Sequence, residues 1–171
     1  MSKPTIFLLA AFVVALDQLT KQWAVRHLDL DVTSVTLIPN VFYLTRTSNT
    51  GSAFGLFPAA TGMLAAVAFV AAAVIAGFVV KHKGSFGIWI GTAVALPLGG
   101  TIGNFLDRVR LGYVIDFLDL RIGTYHWPVF NAADSSICIG VALLALFFVK
   151  HGGAQQSARP DSEEPSSRAS E

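Results

Sequence analysis

The sequence predicts an all-α membrane fold, four transmembrane helices with a small extracytoplasmic β-hairpin or cradle. Three observations carry that expectation. Of 171 residues, 53% are hydrophobic and only 13% are charged, against about 25% charged in soluble domains. Four apolar runs each reach the roughly 20 residues a helix needs to cross about 30 Å of hydrocarbon. Between the first and second runs lies a β-branched segment interrupted by a turn signal.

The runs are approximately Thr5 to Ala24, Thr61 to Val80, Phe86 to Leu106 and Val129 to Val149. The first begins like a signal peptide, with Lys3 ahead of Ile6 to Leu16. It continues through Asp17, Lys21 and Trp23 at helical spacing, so it reads as a retained span. Lys81 to Ser85 make a tight hairpin between the second and third runs, which puts the longer connections 25–60 and 107–128 together at the opposite face. Within 25–60, Val32 to Ile38 and Val41 to Arg46 read as strands around the Pro39-Asn40 turn. The organisation expected is one transmembrane domain over 1–150, with a β-rich insert at about 28–60, and a disordered cytoplasmic tail over 151–171. That tail, rich in Gly, Gln, Ser, Pro and Glu, has too little apolar surface to bury.

An even number of spans places both termini on the side of Lys81 and Lys83. Lys3, Lys81, Lys83 and Lys150 mark that side as cytoplasmic. Arg26, Arg46, Arg108, Arg110 and Arg121 fall on the other, so a raw count does not decide orientation. Trp89 near one face and Trp23 and Trp127 near the other fit interfacial belts. The net charge of +1 gives no sign of a nucleic-acid partner. The lone Cys138 lies deep in an apolar run and reads as buried membrane packing.

Polar residues inside the runs hold the chemistry. A carboxylate in an apolar span costs about 2.5–3.5 kcal/mol on insertion scales and is a functional candidate by default. Asp17 and Lys21 are four apart and share a helical face; they serve either as a neutralised pair pinning the bundle or as part of a site. Gly99 and Gly103 form a small-xxx-small pair. Gly100, Gly103, Asn104 and Asp107 share one face, and Arg108 can pair with Asp107 or reach another carboxylate. Asp134 lies about 8 Å below the outer end of the fourth run at 1.5 Å per residue. Depth alone therefore gathers Asp17, Asn104, Asp116, Asn131 and Asp134 into one outer layer.

Two carboxylates about 3 Å apart share a proton, because both cannot ionise. One then takes a proton from water while the other donates to a carbonyl oxygen, the aspartic-protease arrangement. A metal site is less apt, since no His, Cys or Glu joins the layer. His126 reads as an interfacial loop residue, and Ser135 has no base partner to make it a nucleophile.

Four segments carry a family resemblance. They are Asp17-Gln18-Leu19-Thr20-Lys21; Asn49-Thr50-Gly51-Ser52-Ala53-Phe54; Gly103-Asn104-Phe105-Leu106-Asp107-Arg108 followed by Gly112 to Phe117; and Phe130-Asn131-Ala132-Ala133-Asp134-Ser135. In this order, on four spans, the chain resembles the bacterial lipoprotein signal peptidases, signal peptidase II, over roughly residues 6 to 149. Ser48 and Ser52 depart from the family's second motif, which usually has Arg and Ala there.

The resemblance implies a multi-pass aspartic endopeptidase of the bacterial inner membrane. Such enzymes cut the signal peptide from prolipoproteins before a cysteine that already carries diacylglycerol. Asp116 and Asp134 match the catalytic pair. Asp17, Lys21, Asn49, Gly51, Asn104, Arg108 and Asn131 match positions that support the site or the substrate. Also implied are cytoplasmic termini, an active site near the extracytoplasmic face, and diacylated prolipoproteins and membrane lipid as partners; no cofactor or metal is expected, and the chain is expected to be monomeric.

Three other readings compete. A proton-coupled transporter would also bury Asp and Lys, though it usually needs more spans or a repeat. A metal-dependent lipid phosphotransferase could use Asp107, Asp116 and Asp119 as ligands, but its expected Asp-x-x-Asp-Gly segment is absent. A non-catalytic scaffold leaves two buried aspartates unexplained.

Overall fold

The computed structural model describes residues 1–31, 34–51 and 60–156, with side chains described as far as Lys150. The elements in chain order are α1 (Lys3–His27), β1 (Val35–Ile38), β2 (Phe42–Asn49), α2 (Thr61–Lys81), α3 (Ile88–Leu111), β3 (Val114–Ile122), β4 (Tyr125–His126) and α4 (Ala132–Gln156). All four helices are long and apolar enough to cross a membrane. The expected strand residue Val32, motif residues Ser52 to Phe54 and the tail beyond Gln156 lie outside the described residues.

α1 opens on Ser2, whose hydroxyl accepts from Thr5 N at 3.4 Å, with Pro4 in the first turn. α2 is apolar all round and buries only Val79 within the chain, as a helix facing lipid does. α3 packs against the other three helices, and its small residues are the reason. A Cβ on Gly99 would lie 2.6 Å from Ala10 O on α1, and one on Gly100 would lie 2.4 Å from Ala133 O on α4. Gly100 facing Ala133 and Ala93 facing Gly140 make α3 and α4 antiparallel.

Those approaches carry a prediction. Gly100→Ala drives a methyl into a backbone carbonyl, which cannot rotate away, so α3 and α4 must separate. Overpacking of this kind costs about 1–3 kcal/mol, and the displaced carbonyl adjoins Asp134. The melting temperature should fall; an unchanged value would show that the helices are not in this contact.

The β component is larger than the expected hairpin. β1, β2, β3 and β4 form one antiparallel sheet in that order. The anticipated turn is present, with Asn40 in the left-handed region at φ 62° and Val41 N bonded to Ile38 O at 3.1 Å. The third strand was not visible in the sequence, because its residues are buried on both faces from Val114 to Phe117 and show no alternation. The 107–128 connection is thus the last turn of α3 followed by a hairpin. α3 runs to Leu111, five residues past the expected end, and stops at Gly112, whose φ of 81° suits a left-handed helix cap.

Two further boundaries differ from expectation. α4 begins at Ala132, later than Val129, because Phe130 still pairs with β3: its N–H donates to Leu118 O at 3.0 Å, and its carbonyl accepts from Leu118 N at 2.8 Å. The helix also runs on to Gln156, past the point where the tail was expected to begin. Cys138 is exposed on the protein surface rather than buried.

Candidate active site

The pairing of Phe130 with β3 brings the start of α4 beside Asp116. Asn131 is the N-cap of that helix. Its carbonyl accepts from Ser135 N at 3.1 Å, its Oδ1 accepts from Asp134 N at 2.9 Å, and its own N–H donates to Asp134 Oδ2 at 3.1 Å. This is a reciprocal capping box with the acid at the third helical position. Asp134 is therefore about one turn from the helix start, shallower than the depth read from the sequence.

Asn131 also reaches across to the other carboxyl. Its Nδ2 donates to Asp116 Oδ1 at 2.6 Å, to Asn104 Oδ1 at 3.1 Å and to Ile115 O at 3.3 Å. Asn104 Nδ2 donates to Asp134 Oδ1 at 2.7 Å. Asn49 Nδ2 donates to the second oxygen of Asp116 at 2.9 Å. The sheet register makes that last contact possible: Asn49 lies opposite Val114, so Asp116 is its diagonal neighbour. Both carboxyls are thus fully engaged by amides and line one cleft of about 630 Å³.

Asp116 is 2% exposed, and its carboxyl is pushed up to about 7. Burial is the main cause and the charge of Asp134 the next, working against the hydrogen bonds from Asn49 and Asn131. Asp119, on the same strand, behaves oppositely. Burial would raise it, but hydrogen bonds from Arg121 and Thr45 outweigh that and hold it below the usual carboxylate range.

Behind the pair lies a buried charge cluster. Lys21 Nζ is 2.9 Å from Asp17 Oδ2, 2.9 Å from Asp107 Oδ2 and 2.9 Å from Asn104 Oδ1. Asp17 Oδ1 accepts from Ala133 N at 3.1 Å, so α1 supplies the acid at the N-terminus of α4. Asp107 accepts from Ile115 N at 3.2 Å, the residue before Asp116. Gln18 Nε2 bridges both acids, at 3.2 Å to Asp17 and 2.9 Å to Asp107. Gly103 leaves room for the cluster, since a Cβ there would meet Asp17 Oδ2 at 2.4 Å.

Arg108 pairs with no carboxylate among the described residues. Its Nη2 donates to Gly51 O at 3.2 Å, and its buried Nε has no hydrogen-bond partner among the described residues. Gly51, whose N–H donates to Asn49 Oδ1 at 3.0 Å, lines the same cleft. Of the site residues named from the sequence, Asn49, Gly51, Asn104, Arg108, Asp116 and Asp134 line the cleft, Asp17 and Lys21 lie in the cluster behind it, and Asn131 is buried between the two carboxyls. Asp107 and Gln18 were missing from that set. Asp107 shares the Gly100–Gly103–Asn104 face, a signal obscured by the adjacent Arg108.

The model of the signal peptidase (SPase) II family matches residues 9–150. The chain belongs to the signal peptidase II family. It is 40% identical over 149 residues to the lipoprotein signal peptidase of Oleidesulfovibrio alaskensis, covering 85% of this chain and 95% of that one. It is 37% identical over 152 residues to that of Bacillus subtilis, covering 88% and 96%. A solved bacterial membrane enzyme superposes with a TM-score of 0.79 at 31% identity, over 95% of each chain. As a signal peptidase II family member, the chain is an aspartic-type peptidase with four apolar helices. The carboxylates that a lipid phosphotransferase would need together are dispersed, with Asp107 on Lys21, Asp119 on Arg121 and Asp116 in the cleft.

Proposed function

We propose that the protein removes the signal peptide from prolipoproteins, cutting before a cysteine that already carries diacylglycerol, with Asp116 and Asp134 as the catalytic pair. The observation that carries this is the double engagement of Asn131, which donates to Asp116 through its amide and to Asp134 through its backbone. One residue fixes both carboxyls relative to each other. The pair holds one proton. Its ionised member takes a proton from a water whose oxygen attacks the scissile carbonyl carbon, and its protonated member donates to the carbonyl oxygen. As the tetrahedral adduct collapses, the C–N bond breaks and a proton passes to the leaving nitrogen. Arg108 lines the cleft and donates through Nη2 to Gly51 O at 3.2 Å, so it steadies the Gly51 wall against which substrate would lie. Trp127, Phe130 and Ile137 give the cleft apolar walls suited to a lipidated peptide.

The reading is tested by cleavage of a diacylated prolipoprotein by the purified chain with and without a chelator. Cleavage in both conditions is expected; activity lost with chelator would overturn the aspartic mechanism. A pH profile adds a second check. Asp116 is pushed up to about 7, so the pair keeps its single proton into neutral pH and loses it above. The specificity constant kcat/KM should fall about tenfold per pH unit on the alkaline side of an apparent pKa near 7. A flat profile from pH 6 to 9 would contradict the shared proton.

For orientation, the proposal is an inner-membrane protein with both termini in the cytoplasm and the cleft near the outer face. The chain start bonds the α2–α3 connection, with Phe86 N to Met1 O at 3.0 Å and Lys3 Nζ to Val80 O at 2.6 Å. The antiparallel α4 ends on that side too. Single cysteines at positions 36 and 125, in a Cys138→Ser background, should react with an impermeant reagent applied from outside, whereas cysteines at 83 and 150 should not. Labelling at 83 but not at 36 would reverse the topology.

A further inference from the structure

A second cavity, of about 290 Å³, shares no described lining residue with the catalytic cleft. It lies where the later turns of α1, the last turn of α3 and β2 meet. Its polar lining comes from Gln18, Gln22, Arg46, Arg110 and Tyr113, with Lys21 and Asp107 contributing from the buried cluster.

The arginines at this end of the bundle run against the usual charge bias, and the structure accounts for only some of them. Arg121 is paired with Asp119, and Arg108 lines the catalytic cleft. No ion pair to a carboxylate holds Arg46 or Arg110 among the described residues. Arg46 is fixed instead by the Val25 and Leu28 carbonyls, each at 3.3 Å, and Arg110 by Gln18 Oε1 at 3.4 Å. The acid in the cavity, Asp107, already faces Lys21 at 2.9 Å, as does Asp17. Counted with Asp17, the cavity lining keeps a positive surplus, with Lys21, Arg46 and Arg110 against Asp17 and Asp107; Asp29 and Asp31 flank the Leu30–Arg46 pairing but do not line the cavity.

Two cations from separate elements, held in place but without a carboxylate, make a site for an anion. We infer that this cavity binds the phosphodiester headgroup of an anionic phospholipid. Guanidinium groups match phosphate oxygens in a planar, two-pronged geometry, and Gln22 and Tyr113 offer neutral hydrogen-bonding groups beside them. The apolar part of the lining is open to the lipid side: Leu19 is 65% exposed and Leu111 43%. A headgroup held by the arginines therefore leaves its acyl chains against these leucines. Trp23, 44% exposed on α1, lies at the same level and marks it as interfacial. The volume suits a headgroup and not a whole lipid or a peptide.

The test is native mass spectrometry of the full purified chain in detergent, supplied with phosphatidylglycerol or with phosphatidylcholine. Wild-type protein should retain one phosphatidylglycerol, and the Arg46→Gln/Arg110→Gln variant at least fivefold less, with no difference in phosphatidylcholine. Because Arg46 also touches the end of α1, Arg110→Gln alone serves as the second variant and should lose most of the retention while melting as wild type does. Arg26→Gln is the control: Arg26 is an exposed arginine near the end of α1, like Arg110 on α3, but does not line the cavity. Undiminished retention in both Arg110 variants overturns the inference, as does an equal loss in Arg26→Gln, which would mean diffuse attraction. If inorganic phosphate alone raises the melting temperature as the lipid does, the cavity is a phosphate site and the lipid assignment falls.

Discussion

Asp116→Asn and Asp134→Asn should each lower prolipoprotein turnover by at least about 10³-fold, since groups that act as one unit are lost together, while the folded protein survives. The two positions reach that outcome by different routes. At Asp116 an amide still accepts from Asn131 or Asn49, but it can neither hold nor give up the shared proton. At Asp134 the amide oxygen still closes the capping box with Asn131 N, so α4 keeps its start. Its amide nitrogen then faces the Asn104 Nδ2 donor, and turning Asn104 would only move that clash onto Lys21 Nζ and Asn131 Nδ2, so this variant should melt somewhat below wild type while still folding. The Asp116 variant should melt no lower than wild type, because it removes a buried carboxyl whose ionisation burial opposes. Turnover and melting temperature are measured on the same preparations. Near-normal turnover by either folded variant removes the pair from the mechanism.

The site was legible in the sequence because membrane depth turns a one-dimensional pattern into a layer. A polar residue within an apolar run has few places to go, so Asn104, Asn131 and Asp134 announce a shared partner before any contact is known. Rotation about the helix axis was legible as well: the i, i+3, i+4 spacing placed Gly100 and Gly103 on the face that α4 and Asp17 approach. The strand carrying Asp116 was not. Strand β3 is covered on both faces at its start, and a buried strand of that length has no period to separate it from a helix end or a loop. The same ambiguity ends the third run near Leu106 rather than Leu111, although helical spacing still places Asp107 on the face of Gly103 and Asn104. Charge partners were the other loss. Asp107 and Arg108 are adjacent in the chain, yet on a helix adjacent residues diverge by about 100°, and one faces Lys21 while the other faces Gly51.

Lys21→Leu should be the most destabilising single change outside the proposed catalytic pair. The sequence leaves Asp17 and Lys21 either as a neutralised pair that apolar residues could replace, since a buried pair is often no better than packing, or as support for the site. The structure makes it a triad. Among the described residues Lys21, 1% exposed, is the one cation ion-paired with Asp17 and Asp107, and it also donates to Asn104. Removing it strands buried carboxylates, a loss of about 3–5 kcal/mol. Replacing Asp17 and Lys21 together by Met and Leu still strands Asp107 and takes the acid from Ala133 N at the start of α4. That double variant therefore fails to separate a structural role from a functional one. The triple variant Asp17→Met/Lys21→Leu/Asp107→Asn does separate them, because no carboxylate remains in the cluster and an amide at 107 still accepts from Ile115 N. It should regain much of the stability lost in Lys21→Leu yet turn over prolipoprotein at least tenfold more slowly than wild type, since Asn104 has lost the ammonium that orients its amide toward Asp134. Turnover per folded molecule is the readout. Full activity in a folded triple variant would leave the triad as a helix anchor and take Asp17 and Lys21 out of the site.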